Sequence, residues 1–564
     1  MQVMTSRSGK NRIRVHKERI ETHVKEAGSN PGTGAERSAQ HMAVRNYNDW
    51  YLIHKEELMK KIGAEDHTAG ESLTAEVVRY SHLKNHLLAE DHEPADIIIA
   101  HDDDGSLDEC AEILIKDYFA AHPEINLLYG DEDRIAEDGV HLDPWFKSEW
   151  APDTFLSTFY FGNVIAFRSS AFALINPGKR RTANYESAAS LREDSLDEER
   201  ARTNEDDGPV RAWIYGTLCL KLAQADGGYT KRRSAKWQEF PIGHIPEVLY
   251  HGDHKVELWN GNLIKESLTG RYSVDSAYTR LISIIIPSKD NPEMLARCVR
   301  SIEKHASVPH EIIIVDNGSN EVNRRRVREL VDEINEDGRC LYIFKRMGFN
   351  MPAFYNLGAQ YANGEMLLFL HDDIVVQKRG WLSHLSEKAK LPYVGAVGMK
   401  LLYPSSNIIQ HAGITSVESG IVYKLQYCRN EESYYFDFNK GVRNMLAMSG
   451  ACIMVRAELF REIGGFDEEN FPAYGGDIDF CWRIFEKGYY NVVRNNMYLF
   501  YYESYSPENS KTKEERELQR PGEIKRLYEL HPEISRRDPY YHRYLTQDAK
   551  EARFKINLDD TSVK

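Results

Sequence analysis

Cysteine is scarce in this chain, at seven in 564 residues, and none stands in a Cys-x-x-Cys or Cys-x-x-His spacing. That pattern indicates neither a zinc site nor a disulfide framework, so reduced thiols in a cytoplasmic protein are expected. Long apolar runs are missing too, and none approaches the roughly 18 residues that cross a bilayer. The basic residues near the start (Arg7, Lys10, Arg12, Arg14, Lys17, Arg19) are followed by no apolar core, so no secretory signal is expected. Such a segment suits a solvated, partly disordered tail, or peripheral contact with an anionic membrane surface. Positive charge is in deficit: 72 Lys and Arg against 87 Asp and Glu leave a formal net charge of −15. Nucleic acid is thereby excluded as a partner, since a phosphate backbone needs a basic face.

What remains is the composition of an ordinary globular protein, 41% hydrophobic and 28% charged, long enough for more than one domain. Two short stretches stand out, Ala95–Asp103 (ADIIIAHDD) and Glu365–Asp373 (EMLLFLHDD). Each reads as a buried strand of a parallel sheet that ends in paired carboxylates. In open α/β sheets the carboxyl ends of the strands are where ligands bind. Asp372 and Asp373 offer hard oxygen ligands suited to Mg²⁺ or Mn²⁺, the usual companions of a diphosphate. An isolated His-Asp-Asp reads equally well as a solvated turn.

The neighbouring pattern is stronger. Leu281–Pro287 (LISIIIP) is a strand, Leu295, Val299 and Ile302 repeat at helical spacing, and Glu311–Val315 (EIIIV) is the next strand, ending at Asp316-Asn317-Gly318-Ser319. Strands and amphipathic helices continue to alternate through Val394–Leu402 and Ala451–Val455, which predicts a doubly wound α/β sheet. The first half carries a faded echo of the second. Gly162–Phe172 aligns without gaps on Gly450–Phe460, with Arg168 on Arg456. Aligning Cys219 on Cys481 sets Tyr215 opposite Asp477, so the first copy lacks that acid as well as a strand pair like LISIIIP…EIIIVDNGS. A charged insert, about 177–210, reads as an exposed loop.

The segments IIIPSKDNP, IIIVDNGS, FNMPAFYNLGAQYANGEMLLFLHDD, IQHAG, MSGACIMVR and GGFDEENFPAYGGDIDFCWR, in that order, resemble the family 2 glycosyltransferases of GT-A fold that build bacterial surface polysaccharides. The resemblance covers about 281–506. Residues 122–168 (HPEINLLYGDEDRI, DPWFKSEWAPD) and the late DPYY resemble the partner regions of two-domain members. It implies a GT-A type Rossmann-like mixed sheet with flanking helices at 281–506, preceded by a partial, degenerate copy at 95–270. A polar, helical, partly disordered region at 1–94 and a helical extension at 507–564 complete the chain.

In sites it implies a nucleoside pocket from Pro287, Ser288, Asp290 and Asp316, with Asn356, Phe349 and Asn350 shaping the donor side. Asp372 reaches the ribose or metal shell, Asp373 binds a divalent metal (Mg or Mn), and Asp477 is the base. Gln410, His411 and Asp479 are placed in a pocket near the acceptor, and Asp479, the other acid of the Asp477 pair, is able to serve as a helix cap. The partners implied are a nucleotide-sugar and a glycan acceptor, lipid-linked, used by an inverting transferase at the inner face of the cell membrane. One departure stands out. Where relatives carry a metal-binding His-x-x-Ser, this chain reads FYYESYS, so Tyr501 or Tyr502 takes the place of the histidine; a neutral phenol is a poor metal ligand. Two other readings are a nucleotidyltransferase that makes nucleotide-sugars, disfavoured because PSKDNPEML is not a phosphate loop, and a non-catalytic carbohydrate-binding protein.

Overall fold

A computed structural model describes residues 34–65, 67–88, 95–175, 214–225, 242–254, 281–335, 338–502, 510–548 and 554–558. The basic N-terminal segment and the charged insert at 177–210 lie outside the described residues. All seven cysteines are buried free thiols, and no helix among the described residues is long and apolar enough to cross a membrane.

The first half is built on β1 (Ala75–Arg79), β2 (Ile97–His101), β3 (Ser106–Leu107), β4 (Leu127–Ile135), β5 (His141–Trp145), β6 (Val164–Arg168) and β7 (Gly243–His251). The second uses β8 (Ile282–Ser288), β9 (His310–Asp316), β10 (Cys340–Phe344), β11 (Met366–Leu370), β12 (Ile374–Val375), β13 (Val394–Leu402) and β14 (Ile409–His411), then a small hairpin, β15 (Ile414–Val417) and β16 (Gly420–Tyr423). It closes with β17 (Val442–Asn444), β18 (Cys452–Arg456) and β19 (Tyr490–Tyr501). The apolar runs become central strands for a simple reason: helices cover both faces, so every residue of β8 and β11 is buried and alternation would be a penalty.

The two sheets share one plan. The order β1-β2-β6-β4-β7-β3 repeats as β8-β11-β18-β13-β19-β12. Each matched pair has the same sense: β1–β2 and β8–β11 parallel, β2–β6 and β11–β18 antiparallel, β4–β7 and β13–β19 parallel. Side chains repeat as well. Arg456, at the end of β18, donates to the carbonyls of Ala389, Leu391 and Val394, each at 2.7 Å. Arg168, at the end of β6, donates to those of Phe119 and Ile125 at 2.6 and 2.9 Å. Among the described residues, β9 and β10 have no counterpart in the first sheet. One boundary is corrected: the first sheet begins at Ala75, twenty residues before the Ala95 start expected from sequence. Val77 and Val78 are the only large apolar residues of β1, and Val78 alone is buried, so an edge strand this short leaves almost no pattern.

The halves are joined by polar contacts as well as apolar ones. The helix Pro152–Ser157 lies against β17, where Asn444 accepts from the N–H groups of Asp153 and Thr154 and donates to Asp153 at 3.0 Å. Lys388 pairs with the same buried Asp153 at 2.7 Å. The C-terminal stretch crosses back to the first half. Glu149 N–H donates to Pro539 O at 2.9 Å, and His542 Nε2 lies 2.8 Å from Asp131, which also meets His244 at 3.0 Å. His542 Nδ1 accepts the Tyr544 N–H. Asp131 thus joins His244 of the first half, by a hydrogen bond, to His542 of the C-terminal stretch, by a close ion-pair contact.

Candidate active site

The loops after β8, β9 and β11 open at one edge of the second sheet. Register brings them together: Ser288 pairs with Asp316 across β8 and β9, and β11 lies on the other side of β8. Ser288 donates to Asp372 at 2.7 Å and Asn291 donates to the same oxygen at 3.3 Å. Asp316 is buried, accepting from Ser319 N–H at 2.8 Å and from Tyr342 at 2.5 Å. Pro287, Ser288, Asp316 and Asp372 thus line one edge. Asp290 is there too, in a left-handed conformation (φ 51°), but its carboxylate accepts from Asn320 and Asn323 at the start of the helix Glu321–Ile334.

The second focus is the segment Ser449–Ala451. The Gly450 N–H donates to Asp477 at 2.7 Å and its carbonyl accepts the buried Tyr355 hydroxyl at 3.0 Å. Ala451 O accepts the N–H of His371 at 3.1 Å. Two residues of backbone therefore hold the Asp477 carboxylate beside the His371-Asp372-Asp373 strand end. A β-carbon on Gly450 would sit 3.1 Å from that of Asp477, so glycine is what allows the carboxylate to reach the peptide. Asp477 begins the helix Gly476–Glu486 behind Gly475, whose φ of 75° makes the turn. Partial positive charge at the helix start favours its ionised form. Burial works the other way and raises its pKa, against hydrogen bonds from Gly450 and Ile478. Burial likewise lifts Asp372 to about 6.

The remaining expected residues fall outside this cleft or behind it. Asp479 turns away, pairing with Arg483 at 2.7 Å and His531 at 3.0 Å at 1% exposure. Asn356 spends both ends of its amide on the Phe466 backbone, and Asn350 caps its helix and holds Glu468 O. Both pin the loop before Asp477 instead of facing the edge lined by Ser288, Asp316 and Asp372. Phe349 packs edge-on against Phe354. Gln410 and His411 are buried on β14. Burial pushes His411 down to about 3, and its Nε2 accepts the Ser449 N–H at 3.2 Å, so it supports the Gly450 segment from behind. Tyr501 does meet the motif, its hydroxyl 3.1 Å from His371 Nδ1, while Tyr502 turns toward Arg297. Tyr355 and Gly450 were missed in the sequence reading; MSG before a strand was the signal available.

In the first half, Asp103 accepts from Ser81 side chain and backbone. Tyr215, opposite Asp477 in the alignment, is buried with its hydroxyl on Phe155 O at 3.0 Å.

The His531–Asp479 pair carries a pH prediction. Burial resists charge on His531, but hydrogen bonds to Asp479 and Glu486 outweigh it and carry the pKa up to about 9. An unfolded histidine titrates near about 6.5, so this contribution is complete below that pH and lost as pH rises through about 9. Wild type should exceed His531→Gln by roughly 1–2 kcal/mol at pH about 6, after allowing for solvent screening. The gap should narrow by pH about 9.5 in thermal melts; a gap constant with pH would show that the pair contributes no linked proton.

A mixed sheet with a carboxylate pair on one edge and an acid on a facing helix is an α/β architecture of GT-A type. Residues 283–464 match the family model for glycosyl transferase family 2. The chain is 31% identical over 392 residues to the O-antigen biosynthesis protein RfbC of Myxococcus xanthus, covering 69% of this chain and 29% of that protein. It is 28% identical over 437 residues to the uncharacterised protein y4gI of Sinorhizobium fredii, covering 74% of this chain and 45% of that one. The chain thus spans less than half the length of these curated relatives. Among solved structures, a mannosyltransferase from Pyrobaculum calidifontis in complex with GDP-Man and Mn²⁺ aligns over 40% of this chain and 58% of its own. The TM-score is 0.31 at 16% identity, a likeness too slight to carry weight beside the family match.

Proposed function

We propose that the protein transfers a sugar, with inversion, from a nucleoside diphosphate donor to a glycan acceptor carried on a lipid, in the synthesis of a bacterial surface polysaccharide at the cytoplasmic face of the membrane. The observation that carries this reading is the Gly450–Ala451 bridge, which sets a candidate base beside the carboxylate pair at the donor edge. Asp316 and the backbone around Ser288 would hold the nucleoside. Asp373, with Asp372 beside it, would hold a divalent cation. The donor set fits, since Asp373 is buried and the described partners of the half-buried Asp372 are a neutral hydroxyl and a neutral amide, leaving hard anionic oxygen for Mg²⁺ or Mn²⁺. When bound, such an ion neutralises charge on the departing diphosphate.

Asp477 would accept the proton of the attacking hydroxyl. One base and no enzymic nucleophile give a single displacement, hence inversion. The family match and the naming of one relative for O-antigen biosynthesis support the polysaccharide context. The test is a panel of nucleotide-sugars scored by thermal shift and by donor hydrolysis with Mg²⁺ or Mn²⁺. One or a few donors should stabilise the protein and be slowly hydrolysed. A folded protein indifferent to every donor with either ion would overturn the reading.

A further inference from the structure

We propose that the open groove between the two halves is a saccharide-binding subsite, which takes a short stretch of the acceptor glycan away from the sugar that reacts. The word acceptor rests on the transferase reading above; the saccharide chemistry does not. The groove has a volume of about 750 Å³, within the range of small-molecule sites. Arg134, Asp143 and Asp253 come to it from the first half, Tyr435 and Phe436 from the second, and Phe554 from the C-terminal stretch.

A pyranose ring presents an apolar C–H face and a rim of hydroxyls, so its receptor needs a fixed aromatic face and polar groups at the edge. Both are here. Trp145 stacks on Phe436 with centroids 4.4 Å apart and planes 17° from parallel, and Tyr435 stacks on Phe554 at 4.4 Å and 6°. Tyr435 is locked further, its hydroxyl donating to Phe146 O at 2.8 Å and accepting the Phe146 N–H at 3.1 Å. Rings held this way lose little entropy on binding. At the rim, Arg134 pairs with Asp143 at 2.5 Å and reaches Asp253 at 3.7 Å, while the two carboxylates stay 50% and 74% exposed. An oriented carboxylate with open lone pairs suits a sugar hydroxyl, which can donate to it.

The backbone is strained at these same residues. Asp143, Tyr435, Phe436 and Phe554 all take left-handed conformations, with φ of 52°, 38°, 56° and 62°, which for non-glycine residues costs energy and concentrates at binding sites. Two carboxylates against one arginine make the rim unfavourable for a diphosphate, so the donor is not the occupant. The loop that bears Tyr435 and Phe436 also runs directly into β17 and on to Gly450, the residue that holds Asp477. A glycan seated on these rings would therefore be anchored on the loop that leads to the reacting centre.

The experiment uses the full chain and four neutral tetrasaccharides, of gluco, manno, galacto and rhamno configuration, in saturation-transfer NMR. Binding of UDP and of GDP with Mn²⁺ is measured in parallel. At least one tetrasaccharide should bind, and Asp143→Ala, Asp253→Ala and Phe436→Ala should each weaken it by about tenfold or more, the scale of a charge-assisted contact, with nucleotide binding unchanged. The two aspartate variants alter exposed side chains, so they keep the test informative if Phe436→Ala fails to fold. Absence of any saccharide signal from protein that binds nucleotide overturns the groove alone. A signal that survives the groove variants but vanishes in Asp316→Ala overturns it as well, by moving the sugar to the donor edge. Saccharide binding without nucleotide binding upholds the groove and sinks the transferase reading.

Discussion

Asp373→Ala should lower turnover by at least about a hundredfold, the scale of removing one group that stabilises charge developed in the transition state. Asp373 is 6% exposed and sits in the turn between β11 and β12, strands buried at every position, with its carbonyl accepting the Tyr502 N–H at 2.9 Å, so its place is set by the sheet. Asp372 cannot take over. Its Oδ2 is held by Ser288 and Asn291, so it can assist a cation from one oxygen but does not replace the second carboxylate. Loss of Asp373 should accordingly remove the response of donor binding to Mg²⁺ or Mn²⁺ while leaving the melting temperature close to wild type. The measurement is a titration of nucleotide-sugar with and without metal, together with steady-state rates. Near-normal turnover of the variant after chelation would show that no cation acts through this residue.

The features that were legible in the sequence are those with a local signature. Continuous apolar runs gave β8, β9, β11 and β18, because strands covered on both faces have no reason to alternate. The helix Pro292–His305 was visible through Leu295, Val299 and Ile302, all buried against the sheet. Asp477 was visible as an acid at a helix start. What escaped depends on pairings far apart in the chain. His531 meets Asp479 from 52 positions away, and without it Asp479 and Asp477 look interchangeable. His542 docks on Asp131, a contact that no periodicity announces. The stack of Trp145 on Phe436 joins residues of different halves, so the groove exists only once both sheets are packed. Asn356 was legible as a polar residue near the site, but its role as a clamp on Phe466 follows from a loop turned back by Gly464 and Gly465, with φ of 85° and 74°.

Asp477→Asn should reduce transfer by roughly 10²–10⁴, the range for loss of a general base, with donor affinity nearly unchanged. The amide is isosteric, and its oxygen can still accept the Gly450 N–H that the carboxylate accepts at 2.7 Å, so the segment beside His371 should hold its shape. What disappears is the capacity to take a proton. Burial raises the Asp477 pKa, so in wild type the acid limb of the rate profile should lie above the value of about 3.9 for an unperturbed aspartate; the Asn variant should lose that limb along with the rate. Asp479→Asn should behave oppositely. Its carboxylate is held between Arg483 and His531, and neutralising it strands two cationic groups in a buried setting, a change that lowers stability by several kcal/mol when a buried pair is broken. Its melting temperature should fall while the surviving folded fraction keeps a near-normal rate. The two variants are compared by rate, pH profile and thermal melt. If Asp479→Asn abolishes transfer at full stability while Asp477→Asn remains active, the proton acceptor is not the residue on Gly450, and the helix presents its other acid to the reacting hydroxyl.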